Sequence, residues 1–256
     1  MFRKVRSISY DASTCDGGAF DARYSTDTGI ELRLRGELEG VDAIGGECYA
    51  QLWGLANLGH IASRLLPVRL EVKAFSLEPA EEDRWRAWYR NSFSEIFYRT
   101  GLPAEFDLTF RGPILEPRGN GPTLTERAIL RSGGGKDSVV AAELLRTLGV
   151  PFDWYQVGSR PSLRDPASYE VPRVFGMGSV FSGHSEMEWR PPGAKEFARA
   201  SRGRMRRRFL LHRKRYRARP WPSLMGPTIQ ACFLAEKTGS RYVLAGNERS
   251  ANEGNG

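Results

Sequence analysis

Residues 128–148 read AILRSGGGKDSVVAAELLRTL. Ala128-Ile129-Leu130 is a short apolar run of the kind that forms a buried strand. Gly133, Gly134 and Gly135 follow, and Lys136 then opens a helical pattern with Val140, Leu144 and Leu148 on one side and Gly149 as its stop. A turn with several glycines lets backbone N–H groups come close to an anion, and the N-terminus of the helix adds partial positive charge. Phosphate is the natural occupant of such a turn. The bland alternative is a plain glycine turn in which Asp137 merely caps the helix.

Two familiar phosphate motifs do not fit. A Walker loop ending on Lys136 needs glycine at 130 and Ser or Thr at 137, but the chain has Leu130 and Asp137. A dinucleotide fingerprint starting at Gly133 needs glycine at 138, which is Ser138.

The surrounding elements point to a parallel sheet. Phe152 to Val157 reads as a second strand. Leu224 to Thr238 reads as a helix with Met225, Ile229, Cys232 and Phe233 on one face, ended by Gly239, and Tyr242 to Ala245 as a further strand. Strands alternating with helices build parallel sheets, whose ligands bind beyond the carboxyl ends of the strands. The chain's last stretch, VLAGNERSANEGNG, lies at such an end. It presents Asn247, Glu248, Arg249, Ser250 and Asn252; a solvated turn is the alternative reading.

The first half has a different style. Ile30, Leu32 and Leu34 alternate with charged residues, as do Val68, Leu70, Val72 and Ala74, which is the period of half-buried strands. Cys48 to Leu66 and Ala80 to Thr100 read as helices. The second carries Trp85, Trp88, Tyr89, Ser92, Phe93, Ile96 and Phe97 on one face, read as core. Phe106, Leu108 and Phe110 suggest another strand. RGPILEPRGNGP, residues 111–122, is the best candidate for a linker. The expected organisation is an α+β domain over residues 1–117, then a parallel-sheet α/β domain over residues 118–256.

The net charge of +8 is local. RGRMRRRFLLHRKRYRAR, Arg202 to Arg219, holds ten Lys/Arg and no acid; without those ten, 28 basic residues face 30 acidic ones, a balance of −2. One segment therefore attracts anions, not the whole chain. Cys15, Cys48 and Cys232 are widely spaced and odd in number, so neither a disulfide framework nor a zinc site is expected. No apolar run reaches membrane-span length and no secretory signal opens the chain, which makes the cytoplasm the expected compartment.

GGGKDS, Gly133 to Ser138, resembles the S-G-G-x-D-S signature of the PP-loop ATP pyrophosphatases, the adenine nucleotide alpha-hydrolase-like fold. Gly133 stands where serine is usual, and Ser132 sits one residue early. The resemblance implies cleavage of ATP between the α and β phosphates, with AMP passing to a substrate oxygen. Ser132, Gly133, Gly134, Gly135, Lys136, Asp137 and Ser138 would hold the ATP and its leaving pyrophosphate. Lys136 would neutralise charge and Asp137 would help hold Mg²⁺.

SGGGKDS, the GPTIQACFLAEKTG helix and AGNERSANEGN together resemble one branch, the ATP-dependent UDP-N-acetylmuramoyl-L-alanyl-L-glutamate epimerases of bacterial cell-wall synthesis (MurL-like). QLWGLANLGHIASRLLP and the aromatic helix fit the same family less specifically. The resemblance implies ATP and Mg²⁺ as cofactors and a UDP-muramoyl dipeptide as substrate. The L-glutamate would be inverted through an acyl-adenylate, releasing AMP and pyrophosphate. Members continue past the last polar loop, so the chain is expected to be truncated at its C-terminus. Glu248 is the first candidate base and His184 the second, with His60 and His212 behind them. Asn247, Arg249, Ser250 and Asn252 are candidate substrate contacts, as are Arg206, Arg207 and Arg208, which suit the substrate's phosphates. Two rival readings stay open. One is a PP-loop enzyme that adenylates tRNA, to which the 202–219 segment could bind; nucleic acid is not the expected partner, because no CxxC pair and no RNA-binding domain is recognisable. The other is a nucleotide-binding module without catalysis.

Overall fold

The structure, a computed structural model, describes residues 5–16, 19–38, 45–65, 67–100, 107–116, 122–132, 136–157, 174–177, 188–189 and 225–246. It is a mixed α/β fold with two sheets. The first contains β1 (Ser7–Asp16), β2 (Ala19–Thr26), β3 (Glu31–Glu37), β4 (Arg69–Val72), β5 (Asp107–Phe110) and the short β9 (Glu188–Trp189). Its order is β5-β4-β1-β2-β3-β9. β1, β2 and β3 form an antiparallel meander, while β4 and β5 join β1 in parallel.

Ile8, Tyr10, Phe20, Tyr24, Leu32 and Leu34 turn inward from this sheet at alternate positions and meet helix α1 (Glu47–Leu65). Helix α2 (Pro79–Thr100) adds Tyr89, Phe93, Ile96 and Phe97 to the same core, with Trp85 and Trp88 partly buried against it, so its aromatic face is core as expected. One expected core position is corrected: Val68 is exposed, because β4 begins only at Arg69. The expected linker is also tied down at its start, where Ser76 N–H donates to Pro113 O at 2.7 Å and Leu115 N–H to Ser76 O at 2.8 Å.

Three buried tyrosines fasten α1 by its backbone. Tyr24 donates to Gly54 O at 2.8 Å, Tyr10 to Gln51 O at 3.1 Å and Tyr89 to Leu55 O at 2.5 Å. Gly54 is required here, because a Cβ would overlap the Tyr10 ring, which is fully buried between Tyr24 and Phe75. Gly54→Ala is therefore expected to cost about 1–3 kcal/mol by overpacking, with a lower urea midpoint and an unchanged m-value. Wild-type stability would mean that the Tyr10 ring can give way.

The second sheet contains β6 (Thr125–Ser132), β7 (Phe152–Val157), β8 (Val174–Met177) and β10 (Ser240–Ala245) in the order β10-β6-β7-β8, all parallel. Helix α3 (Lys136–Thr147) joins β6 to β7, and helix α4 (Met225–Thr238) precedes β10. Along β6, Ala128 and Leu130 face α3, while Ile129 faces the larger core that contains α4 and α1. α4 contributes Ile229, Phe233 and Leu234 to that core, and Phe233 packs on Phe20 and Tyr49 with ring centroids 5.3 Å away in each case. Tyr49 also donates to Glu236 at 2.6 Å. Helices α1 and α4 thus connect the two sheets.

Two helix faces differ from expectation. On α3, Val140, Leu144 and Leu148 are 58%, 58% and 72% exposed; the buried side is Ala142, Leu145 and Ser138. The sequence has two apolar stripes, and packing on the sheet selects the one that carries Val139, Ala142 and Leu145. On α4, Cys232 reaches the surface although its neighbours Ala231 and Phe233 are buried. Gly149 and Gly239 close these helices with φ of 67° and 65°, as their positions suggested. No helix among the described residues is long and apolar enough to cross a membrane.

Candidate functional site

The second sheet reverses direction at β6. The chain passes from β6 to β7 and β8 on one side, and β10 is laid down on the other. α3 and α4 cover opposite faces of β6. Parallel α/β sheets bind ligands at such a switch point, in the crevice outside the carboxyl ends of the strands. Both helices have their N-termini at this edge, since each is connected to a strand of the same direction.

The edge is built from few residues. β6 ends in Arg131 and Ser132, which pair with Tyr155 and Gln156 of β7. Ser132 is fully buried, and Ser138 in the first turn of α3 is nearly so. Lys136 is the first residue of α3 and Asp137 the second. On the other side of β6, Ala245 pairs with Arg131, so Gly246 follows at the level of Ser132. A Cβ on Gly246 would lie 2.5 Å from the Asp137 carbonyl carbon and 3.0 Å from its Cβ. The segment that leads into the second polar loop therefore rests directly on the first turn of α3.

On the opposite face of β6, Arg131 Nη1 donates to Thr228 Oγ1 at 2.7 Å in the first turn of α4. Burial pulls the Arg131 guanidinium below its ordinary pKa, opposed by the nearby Tyr155 and Cys232. Asn57 and Trp53 of α1 border Gly226 at the start of α4. His60, a minor candidate, is thus about one turn further along the helix that passes this edge.

Of the residues expected in the site, the structure brings Ser132, Lys136, Asp137 and Ser138 to one strand–helix junction and sets Gly246 against it. Gly133, Gly134, Gly135, His184, Arg206, Arg207, Arg208, Asn247, Glu248, Arg249, Ser250 and Asn252 lie outside the described residues, as does His212. Among the described residues no group of three or more His, Cys, Asp or Glu side chains could hold a metal ion. Burial, reinforced by Glu47, pushes the Cys15 thiol up to about 11. Sequence reasoning passed over Arg131 and Gln230. The available signal was a cation and an amide inside apolar runs, where such residues need partners.

Residues 64–175 match the family model of the MurL N-terminal domain. The likeness is to that domain, over those residues, and they are less than half of the chain. The matched stretch runs from the end of α1 through α2, β6, α3 and β7 into β8, so it includes the junction of β6 with α3. No curated protein and no solved structure matches the chain.

Proposed function

We propose that this chain is an ATP-dependent epimerase that inverts the terminal L-glutamate of UDP-N-acetylmuramoyl-L-Ala-L-Glu. The parallel-sheet part, from residue 118 onward, is read as a PP-loop domain working in the cytoplasm. The observation that carries the reading is the meeting of Gly246 with the backbone of Asp137 at the switch point. It puts the start of one polar, glycine-containing loop beside the helix that opens after the other.

The chemistry explains the need for ATP. The α-proton beside an ionised carboxylate is a poor acid, because its removal adds negative charge next to negative charge. A glutamate carboxylate oxygen attacks the α-phosphorus of ATP, the bond to the β-phosphate oxygen breaks, and pyrophosphate leaves. The acyl-adenylate has lost that charge, so removal of its α-proton gives an enolate that donors can stabilise. A proton returns to the other face, and water releases AMP and the D-glutamyl product. The N-terminus of α3 suits the pyrophosphate. Ser132 and Ser138 are positioned beside it, and Lys136 is proposed to offset its charge. Asp137 fits Mg²⁺ as a single carboxylate, since Mg²⁺ commonly takes one or two carboxylates together with substrate phosphates. Glu248 is the proposed base, ahead of His184; Asn247, Arg249, Ser250 and Asn252 are proposed substrate contacts. Arg206, Arg207 and Arg208 are proposed to meet the UDP diphosphate.

Protein incubated with ATP, Mg²⁺ and UDP-muramoyl-L-Ala-L-Glu in D₂O tests this directly. AMP, pyrophosphate and D-glutamate deuterated at the α-carbon are expected. ADP in place of AMP would overturn the PP-loop reading. AMP formed only with tRNA would replace the epimerase reading with the nucleic-acid one.

A further inference from the structure

Around the first two turns of α4 are buried hydrogen-bond donors that have no acceptor among the described residues. Trp53 is fully buried, and its Nε1–H is unpartnered beside Gly226, 3.6 Å from where a Cβ would stand. Gln230 is fully buried; its Oε1 accepts from Tyr155 at 3.1 Å, and its Nε2 is left without an acceptor. Arg131 spends one Nη on Thr228, and its Nε is buried and unpartnered. A buried donor left unpaired costs about 1–3 kcal/mol, so three in one neighbourhood are expensive unless something accepts from them. All three lack the same kind of partner, an acceptor. Arg131 adds a positive charge, and the N-terminus of α4 adds its dipole.

We infer that the N-terminal turns of α4, with Arg131 of β6, Gln230 and Trp53, form an oxyanion subsite distinct from the glycine turn, for a carboxylate or phosphate group. Arg131 keeps part of its surface in solvent at the carboxyl edge of β6. The subsite lies on the α4 face of the strand whose other face carries Ser132 and α3. An extended substrate could therefore place one anionic group on each side of β6. This deepens the proposed function, on which the choice of probes rests: the second anion is either a carboxylate of the muramoyl dipeptide or a phosphate of the nucleotide.

Gln230→Glu separates this from a structural role. It sets a carboxylate against Tyr155, the cross-strand neighbour of Arg131, and so occupies the subsite from within while preserving shape. Binding of UDP-muramoyl-L-Ala-L-Glu, of UDP-muramoyl-L-Ala, of ATP and of inorganic pyrophosphate is measured by calorimetry on the whole chain. The variant is expected to keep or raise Tm and to bind one anion class roughly tenfold or more weakly, the size of one charge-assisted contact. Loss confined to the dipeptide ligand identifies a substrate carboxylate; loss for ATP or pyrophosphate identifies a phosphate. Arg131→Lys, which keeps the charge without the planar fork, is expected to weaken the same ligand. Equal affinities in wild type and Gln230→Glu, or no anion binding by wild type, would overturn the subsite. Failure of the epimerase reading shows separately, as absence of AMP and of D-glutamate while anion binding persists.

Discussion

Gly246→Val is expected to abolish AMP and pyrophosphate formation while the protein stays folded. The position tolerates no side chain, because a Cβ would lie 2.5 Å from the Asp137 carbonyl carbon. Backbone, not a flexible side-chain tip, stands in the way. Either the end of β10 or the first turn of α3 must move. Gly246 sits level with Ser132 across the β10–β6 ladder, so the displacement falls at the carboxyl edge itself. A misplacement of the order of 1 Å in a site that works by positioning can cost about a hundredfold in rate. Overpacking at one point costs about 1–3 kcal/mol in stability, which leaves most domains folded. Gly149→Ala is the matched control. Its φ of 67° makes the substitution strained, but nothing lies within 4 Å of the added Cβ. It should lose about 1 kcal/mol and keep full turnover per folded molecule. Gly246→Val with wild-type turnover would show that the β10 end is not part of the site.

Much of the second sheet was legible because its signals are local. Ala128-Ile129-Leu130 is a run too apolar for anything but a buried strand, and Gly149 and Gly239 stop their helices by adopting positive φ. The four described junction residues, Ser132, Lys136, Asp137 and Ser138, follow from the same local order of strand, turn and helix. β1 and β2 were harder to see. SISYDASTCD alternates, but Ser, Thr and Ala blur the contrast between its faces, and only pairing with β2 and β4 makes Ile8 and Tyr10 core. β8 and β9 are too short to show a period. The buried face of α3 is hard to read because VVAAELL is apolar at nearly every position, so Val139, Ala142 and Leu145 compete with Val140 and Leu144. The sheet takes the first set, a choice made by packing. The contact of Gly246 with Asp137, and the donors around α4, join segments far apart in sequence, so no local pattern announces them.

Asp153→Ala is expected to cause the largest loss of stability. Asp153 is 0% exposed and accepts from Arg127 twice, from Nε at 3.1 Å and from Nη2 at 2.8 Å. Both residues face the core side of the sheet, one on β6 and one on β7. The pair need not be a strong source of stability in itself, since desolvating two charges offsets much of their attraction. Removing one partner is different, because it leaves a guanidinium in the protein without its counter-ion. The cost is about 3–5 kcal/mol, a large fraction of the stability of an ordinary domain. In a chain of this size that lowers Tm by roughly 10 °C or more. The double replacement Arg127→Met with Asp153→Leu removes both charges and should recover most of the loss, giving a coupling energy of opposite sign to the single effects. The pair also lies toward the amino ends of β6 and β7, since Ala128 is level with Phe152 whereas Ser132 is level with Gln156. Activity per folded molecule should therefore be unchanged in every one of these variants. Thermal melts of the two singles and the double decide the matter: a single Asp153→Ala loss below about 1 kcal/mol would show that Arg127 escapes to solvent, and a double as unstable as the single would show that shape, not charge pairing, governs this part of the sheet.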